Sequence, residues 1–328
     1  MPVKITIIGL GQIGGSIGLS LAAHKDKVAI TGHDKEIGVE QRAKKLGVVD
    51  QTNHNLPASV ENADLVILAL PLTEIRDTFR YIAKDLRKDA VVVDTAPVKA
   101  EVVKWTRELL PETAHYVGTV PAMGAKHFSG TETTLDSARA DLFAKGVFLV
   151  STPPGIPGEA VKLVTDLIDL LGATPVLADF VESDGLMTNT HLLPQLISAA
   201  LLNSTIGQPG WNDLRKTASR NFYAATSALA DSDGAEALGM ASLHSRENTV
   251  RVLNNFINAL IDLRDGLESD EASFRKQLSA ALIGRINWLV ERDKAEWTRM
   301  PDDKIERPSM MEMLFGSKLG RMGERKEK

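Results

Sequence analysis

The chain has 328 residues, with 38 lysines and arginines against 43 aspartates and glutamates, a formal net charge of −5. That mild acidity speaks against nucleic acid as a partner, because phosphate-tracking proteins carry a basic excess or stripe. The absence of cysteine excludes disulfides, thiolate catalysis and cysteine-held zinc. The length exceeds the roughly 250–300 residues at which single cores stop growing, so two domains are expected. No apolar run approaches the roughly 18–20 residues of a membrane span, and the chain enters an apolar run at Val3 without a charged-then-apolar leader. A cytoplasmic protein with no membrane partner is the expectation.

In chain order, Val3–Ile8, Val28–Thr31, Leu65–Leu70, Ala90–Asp94, His115–Gly118, Val147–Thr152 and Thr174–Leu177 read as strands. Several are apolar on both faces, the mark of parallel strands covered by helices. Ile75, Phe79, Ile82 and Leu86 make one helical face, and Val161, Val164, Ile168 and Leu171 make another, closed by Gly172. The alternation predicts a Rossmann-type doubly wound parallel α/β sheet over residues 1–179. From Phe180 the texture becomes all-helical. Glu182–Asn203 reads as a helix that Pro194 should kink. Ala235–Leu263 and Ala272–Trp297 are long against a mean of about 11–12 residues. Such helices in a small domain bury surface against another subunit, so residues 180–300 are expected to form an all-α substrate and dimerisation domain of a homodimer. Residues 301–328 form a polar tail with mobile last residues, within which Ser309–Phe315 is apolar enough to dock.

The segment Gly9-Leu10-Gly11-Gln12-Ile13-Gly14 fits G-x-G-x-x-G, follows a predicted strand and opens a helix with Ile13, Ile17 and Leu21 on one face. In that context Gly9 makes a tight turn, Gly11 admits a diphosphate to the backbone, and Gly14 lets helix and strand close up. The anion then rests on the N–H groups at the helix start. Asp34 lies 20 residues beyond Gly14. A carboxylate there accepts from both adenosine ribose hydroxyls and repels a 2′-phosphate, which favours NAD over NADP. The flanking His33 and Lys35 soften that repulsion. Leu70 and Pro71, at a strand's carboxyl end, are expected to line the nicotinamide ribose.

Together with Gly9–Ser16, the segments Asp94–Lys99, Val117–Gly130 and Asp184–Gln195 resemble prephenate dehydrogenases, over roughly residues 3–295. The resemblance implies NAD-dependent oxidative decarboxylation of prephenate or arogenate, in tyrosine biosynthesis, by a dimer built through the helical domain. Against the family's pattern, Val120 stands where a histidine precedes proline, Pro97 where a serine stands and Lys126 where a glutamate stands. Aligned on Pro194, Leu192 and Gln195 occupy two histidine positions, and Asn212 replaces an arginine.

Candidate catalytic residues are therefore Lys99, His127 and His191, and candidate substrate-binding residues are Val120, Lys126, Gln195 and Lys216. Lys99, Lys126, Arg215 and Lys216 offer positive charge to a small-molecule carboxylate substrate. The seven histidines include no pair at metal-ligand spacing, so no metal is expected. Two further readings stay open. One is an NAD-dependent dehydrogenase or reductase of another small carboxylate or imine. The other is a nucleotide-binding homologue without turnover.

Overall fold

The computed structural model describes residues 2–130, 132–230 and 234–297. Contacts gather the chain as far as Glu296 into one unit, and of the second unit, Trp297–Lys328, only Trp297 is described. The expected docking segment Ser309–Phe315 and the tail therefore lie outside the described residues.

Eight strands make one sheet: β1 Val3–Ile8, β2 Val28–His33, β3 Gln51–Thr52, β4 Leu65–Leu68, β5 Val91–Asp94, β6 His115–Ala122, β7 Val147–Ser151 and β8 Thr174–Leu177. Their order is β3-β2-β1-β4-β5-β6-β7-β8. Strands β1 to β6 run parallel, with Ile8 opposite His33 on one side and Leu68 on the other. The chain reverses its direction of travel across the sheet between β1 and β4. At that switch the strand ends leave a crevice where such sheets bind ligands.

Thirteen α-helices are described: α1 Gln12–Leu21, α2 Ile37–Lys45, α3 Leu56–Val60, α4 Leu72–Ile82, α5 Ala100–Leu109, α6 Gly158–Leu170, α7 Phe180–Met187, α8 Leu193–Thr205, α9 Trp211–Thr217, α10 Arg220–Thr226, α11 Gly234–His244, α12 Arg246–Ser269 and α13 Glu271–Lys294. Successive strand residues face opposite sides. Leu65 and Ile67 join one core with Ile17 and Val164, while Val66 and Leu68 join another with Phe79 and Trp105. The second core also takes in Leu192, Leu238 and Ala241 from the helical half.

Two departures from the sequence reading have clear causes. β7 pairs antiparallel with β6, Gly118 opposite Ser151 through Ala122 opposite Val147. The link between them carries no α-helix among its described residues, and a parallel return would need such a crossover. The second concerns Pro194. Its ring and missing N–H disturb the bond to the carbonyl four residues earlier. The chain accommodates this by a π turn over Thr188–Leu192, where Leu193 N–H reaches back to the Thr188 carbonyl. The pattern read as one helix from Ala235 is two, α11 and α12, meeting at Ser245. The short elements α2, α3, β3, α9 and α10 leave no clear signal in the sequence, since none is long enough to show a period.

The hairpin of α12 and α13 leaves Ile257, Leu260, Leu278, Leu282, Ile283 and Ile286 exposed. Among the described residues, no helix is long and apolar enough to cross a membrane.

Candidate functional site

The glycine loop is built by contacts too close for side chains. Gly9 turns the chain out of β1 at φ +89°, and a Cβ there would strike the Ala69 carbonyl of the neighbouring strand end. A Cβ on Gly14 would collide with the Gly9 carbonyl. Gly14 thus packs behind the loop and Leu10 is buried in the core, so neither lines the opening. Gly9, Gly11, Gln12 and Ile13 do. The Gln12 N–H donates to the Thr133 carbonyl at 2.8 Å. An oxygen acceptor therefore already stands at the start of α1, where a phosphate oxygen would bind.

Asp34 sits at the mouth of this loop. Its Oδ2 accepts the Leu10 N–H at 2.8 Å and its Oδ1 the Glu36 N–H at 3.0 Å. The flanking side chains have other partners. Lys35 Nζ donates to Glu74 Oε1 at 2.6 Å, and that partner raises its pKa. His33 Nδ1 lies 3.1 Å from the Asn53 carbonyl. Glu40 Oε1 gathers His33 Nδ1 at 3.5 Å and His54 Nδ1 at 3.3 Å, and accepts the Asp34 N–H at 3.0 Å. This His33–Glu40–His54 cluster is the one grouping among the described residues with metal-ligand proximity. Its atoms are already paired with one another and with backbone, and they hold the Asp34 segment in place.

From the glycine loop a cleft of about 870 Å³ runs along the strand ends. Leu70, Pro71, Thr95, Ala96, Val120 and Pro121 form its floor, and Met187 and His191 wall it from the helical half. A Rossmann dinucleotide lies across strand ends in this manner, with its reactive ring at the far end from Asp34. The residues present fit that group: a glycine cradle, the first amides of α1, of which that of Gln12 is held by the Thr133 carbonyl, and the Asp34 carboxylate at the loop's mouth.

The remaining expected residues fall in different places. Lys99 is fully buried beneath the cleft, with Nζ 2.5 Å from Asp94 Oδ1. It is not placed to meet a substrate carboxylate. His127 Nε2 faces Asp141 Oδ1 at 3.2 Å, and Lys126 Nζ donates to Asp141 Oδ2 at 2.5 Å. Lys216 is exposed and pairs with Asp213. These three lie outside the cleft lining, Lys126 and His127 sharing the Asp141 carboxylate and Lys216 taking that of Asp213. Gln195 is buried behind His191, its Nε2 3.2 Å from the His191 Nε2 and 3.1 Å from the His191 carbonyl.

A buried polar cluster under the floor went unread in the sequence. Asp94 ends β5 and accepts from Lys99, from Tyr116 Oη at 2.6 Å and from the Ala96 N–H at 2.9 Å. Its carbonyl accepts from Thr119 Oγ1 at 2.7 Å. From the helical half, Asp184 Oδ1 accepts the Lys99 N–H at 2.6 Å, and Oδ2 the Ala100 N–H at 3.1 Å. Those are the first amides of α5, which its own helix cannot satisfy. Burial pushes the Asp184 carboxyl up, while those amides and the Lys99 ammonium pull it back. Burial likewise lowers the Lys99 pKa, against Asp94, and raises that of Tyr116 well above its ordinary value. The only sequence signal was a charged residue ending the apolar run Val91–Val93.

Removing the Asp184 carboxylate orphans two buried donors, each hydrogen-bonded to charge. Asp184→Ala should therefore lower the unfolding free energy by about 2–4 kcal/mol, read by urea denaturation. A loss below about 0.5 kcal/mol would contradict this role.

The comparisons with known proteins bear on the same regions. Residues 17–177 match the family described as prephenate dehydrogenase, nucleotide-binding domain. The chain is 27% identical over 273 residues to the cyclohexadienyl dehydrogenase of Zymomonas mobilis, covering 82% of this chain and 90% of that one. It is 24% identical over 273 residues to the prephenate dehydrogenase of Bacillus subtilis, covering 83% and 72%. Its fold is similar to that of Aquifex aeolicus prephenate dehydrogenase in complex with hydroxyphenyl propionate and NAD+, with a TM-score of 0.76, 22% identity and 88% and 99% of the two chains covered. Synechocystis arogenate dehydrogenase superposes with a TM-score of 0.68 at 19% identity, covering 87% and 100%. Residues 17–177 thus carry the nucleotide-binding domain of prephenate dehydrogenases, and the similarity to enzymes of that name extends across both halves of the chain.

Proposed function

We propose that this chain is an NAD-dependent dehydrogenase acting in the cytoplasm on prephenate or arogenate. In this reading residues 1–179 hold the dinucleotide and residues 180–300 the substrate, and the enzyme works as a homodimer through α12 and α13. The observation that carries the reading is the continuous cleft joining the Gly9–Gly14 loop and Asp34 to a far end walled by Met187 and His191.

Gly11 and Gln12 hold the diphosphate at the start of α1, and Asp34 takes the adenosine ribose hydroxyls. Glu74 draws the neighbouring Lys35 ammonium to a carboxylate of its own, which supports NAD over NADP. The chemistry that the dinucleotide supplies when bound is uptake of a hydride from the hydroxyl-bearing carbon. Val120, Pro121 and Met187 present apolar surface at that end and exclude water from the reacting carbon. Oxidation there makes a ketone. Loss of the ring carboxylate as carbon dioxide then returns its bonding pair to the ring, which becomes aromatic.

A second reading is favoured by one observation. Among the described residues lining the cleft, the only lysine or arginine is Lys35, at the adenosine end. A dianionic substrate therefore meets no cation on this chain at the reacting end, as a smaller monocarboxylate or an imine would not require.

Three outcomes check the proposal. NADH binding quenches tryptophan fluorescence, and NADH forms with prephenate or arogenate; binding without turnover of either would exclude the substrate assignment. Asp34→Arg raises the NAD dissociation constant at least about tenfold and narrows the preference over NADP, whereas unchanged NAD affinity would contradict the ribose contact. Light scattering gives the mass of a dimer, which Leu282→Asp with Ile286→Asp shifts to monomer; a wild-type monomer would contradict the interface.

A further inference from the structure

Oxidising an alcohol requires a group that takes the hydroxyl proton, and the cleft offers few. Asp34 and Glu74 stand at the adenosine end, Asp77 and Tyr81 follow Glu74 along α4, and Glu132 belongs to the loop against Gly11 and Gln12. At the other end the floor is Thr95, Ala96, Pro97, Val120 and Pro121, with no ionisable side chain. The other candidates Lys99, Lys126 and His127 are paired with Asp94 or Asp141 away from the lining. Among the described residues, His191 alone brings a titratable group to that end.

Its setting is unusual. His191 lies within the π turn Thr188–Leu192, and single π turns inside α-helices occur frequently at functional sites. The turn is fixed from both sides. Thr188 Oγ1 donates to the Asp184 carbonyl at 2.6 Å and lies 3.0 Å from Ser245 Oγ, while Leu192 is buried in the core. Gln195, one turn on, holds the ring at Nε2 and the His191 carbonyl together. The Gln195 N–H₂ that meets Nε2 also donates to the His191 carbonyl, so it serves Nε2 as the bare nitrogen of the neutral ring, and Nε2 is the atom that takes up a proton.

We infer that His191, presented by the π turn and steadied by Gln195, accepts the hydroxyl proton of the substrate. The inference rests on the dehydrogenase reading above. As the hydroxyl-bearing carbon is oxidised, its C–H pair leaves to the nicotinamide, the O–H proton passes to the imidazole, and the oxygen keeps the O–H pair as a carbonyl. When the ring carboxylate departs as carbon dioxide, its C–C pair moves through the ring onto that oxygen as a phenolate, which takes the proton back from the imidazolium. No further oxidant or proton source is needed. Gln195 is a positioning residue in this scheme, acting through His191.

The test uses the full-length His191→Asn protein, with circular dichroism and NADH affinity equal to wild type as the control for folding. Loss of the proton acceptor lowers kcat by about 10²–10⁴-fold, with KM within threefold, and removes the acid limb of the pH profile of kcat/KM. Adding Val120→His, which sets an imidazole on the floor of the same cleft end, restores at least tenfold of the lost kcat. A readout independent of turnover is calorimetric binding of 3-(4-hydroxyphenyl)propionate to the nucleotide-free protein, which weakens about tenfold without the imidazole partner of its phenol. A His191→Asn enzyme with wild-type kcat, or an acid limb that persists, overturns the inference while leaving the dehydrogenase reading intact. A wild-type protein silent toward prephenate and arogenate overturns that reading. In that event the inference stands on the phenol-binding difference, and equal affinity of the two proteins overturns it as well.

Discussion

Two backbone N–H groups at the start of α5, given to the single carboxylate of Asp184, decide where the helical half meets the sheet. The first amides of a helix have no partner of their own. Here they are met from another element at 2.6 and 3.1 Å, in a place almost closed to water. Leaving such donors unpaired is costly, so the docking admits little slippage. The same α5 start is tied downward, through Lys99 to Asp94, and through Asp94 to Tyr116 and to the Ala96 amide. One connected set of polar groups therefore fixes the ends of β5 and β6 relative to α7. Four residues after Asp184 the π turn begins, and its position above the strand ends follows from that anchor.

The cleft that results has two characters. At one end, amides, a glycine cradle and Asp34 offer polar contacts to a phosphorylated nucleotide. At the other, apolar side chains face a helical wall bearing a single imidazole. A ligand that is anionic and sugar-bearing at one end and aromatic at the other matches that polarity. Such a division also suits hydride chemistry, which runs best where water is kept from the reacting atoms.

What could be read from the residues in order follows the range of each interaction. The Gly9–Gly14 loop and Asp34 are legible because a strand, a tight turn and a helix start follow one another within a few residues, and each makes its own demand on side-chain size. The parallel strands are legible for the same reason, as continuous Val, Ile and Leu runs. The cluster around Asp94 joins residues 94, 99, 116 and 184, which no local period connects. Lys99 looked like a ligand for substrate because it follows a strand end; only the fold reveals that Asp94 claims its ammonium. Lys126 and His127 were drawn to the site by adjacency in sequence, yet both turn to Asp141. Pro194 announces a disturbed helix, and the molecule meets it with a π turn, a choice that depends on what the neighbouring carbonyls can reach. The reversed strand β7 likewise depends on what lies in the long link before it.

The central claim is that one dinucleotide lies along this cleft from Asp34 to the helical wall. A crystal structure of the NAD+ complex tests it most directly. The account predicts the diphosphate on the Gly11 and Gln12 amides in place of the Thr133 carbonyl, the adenosine ribose on Asp34, and the nicotinamide ring over Thr95 and Ala96 with His191 across from it. A nucleotide bound in another place, or a nicotinamide ring turned out of the cleft away from His191 with its adenosine end seated, would contradict it.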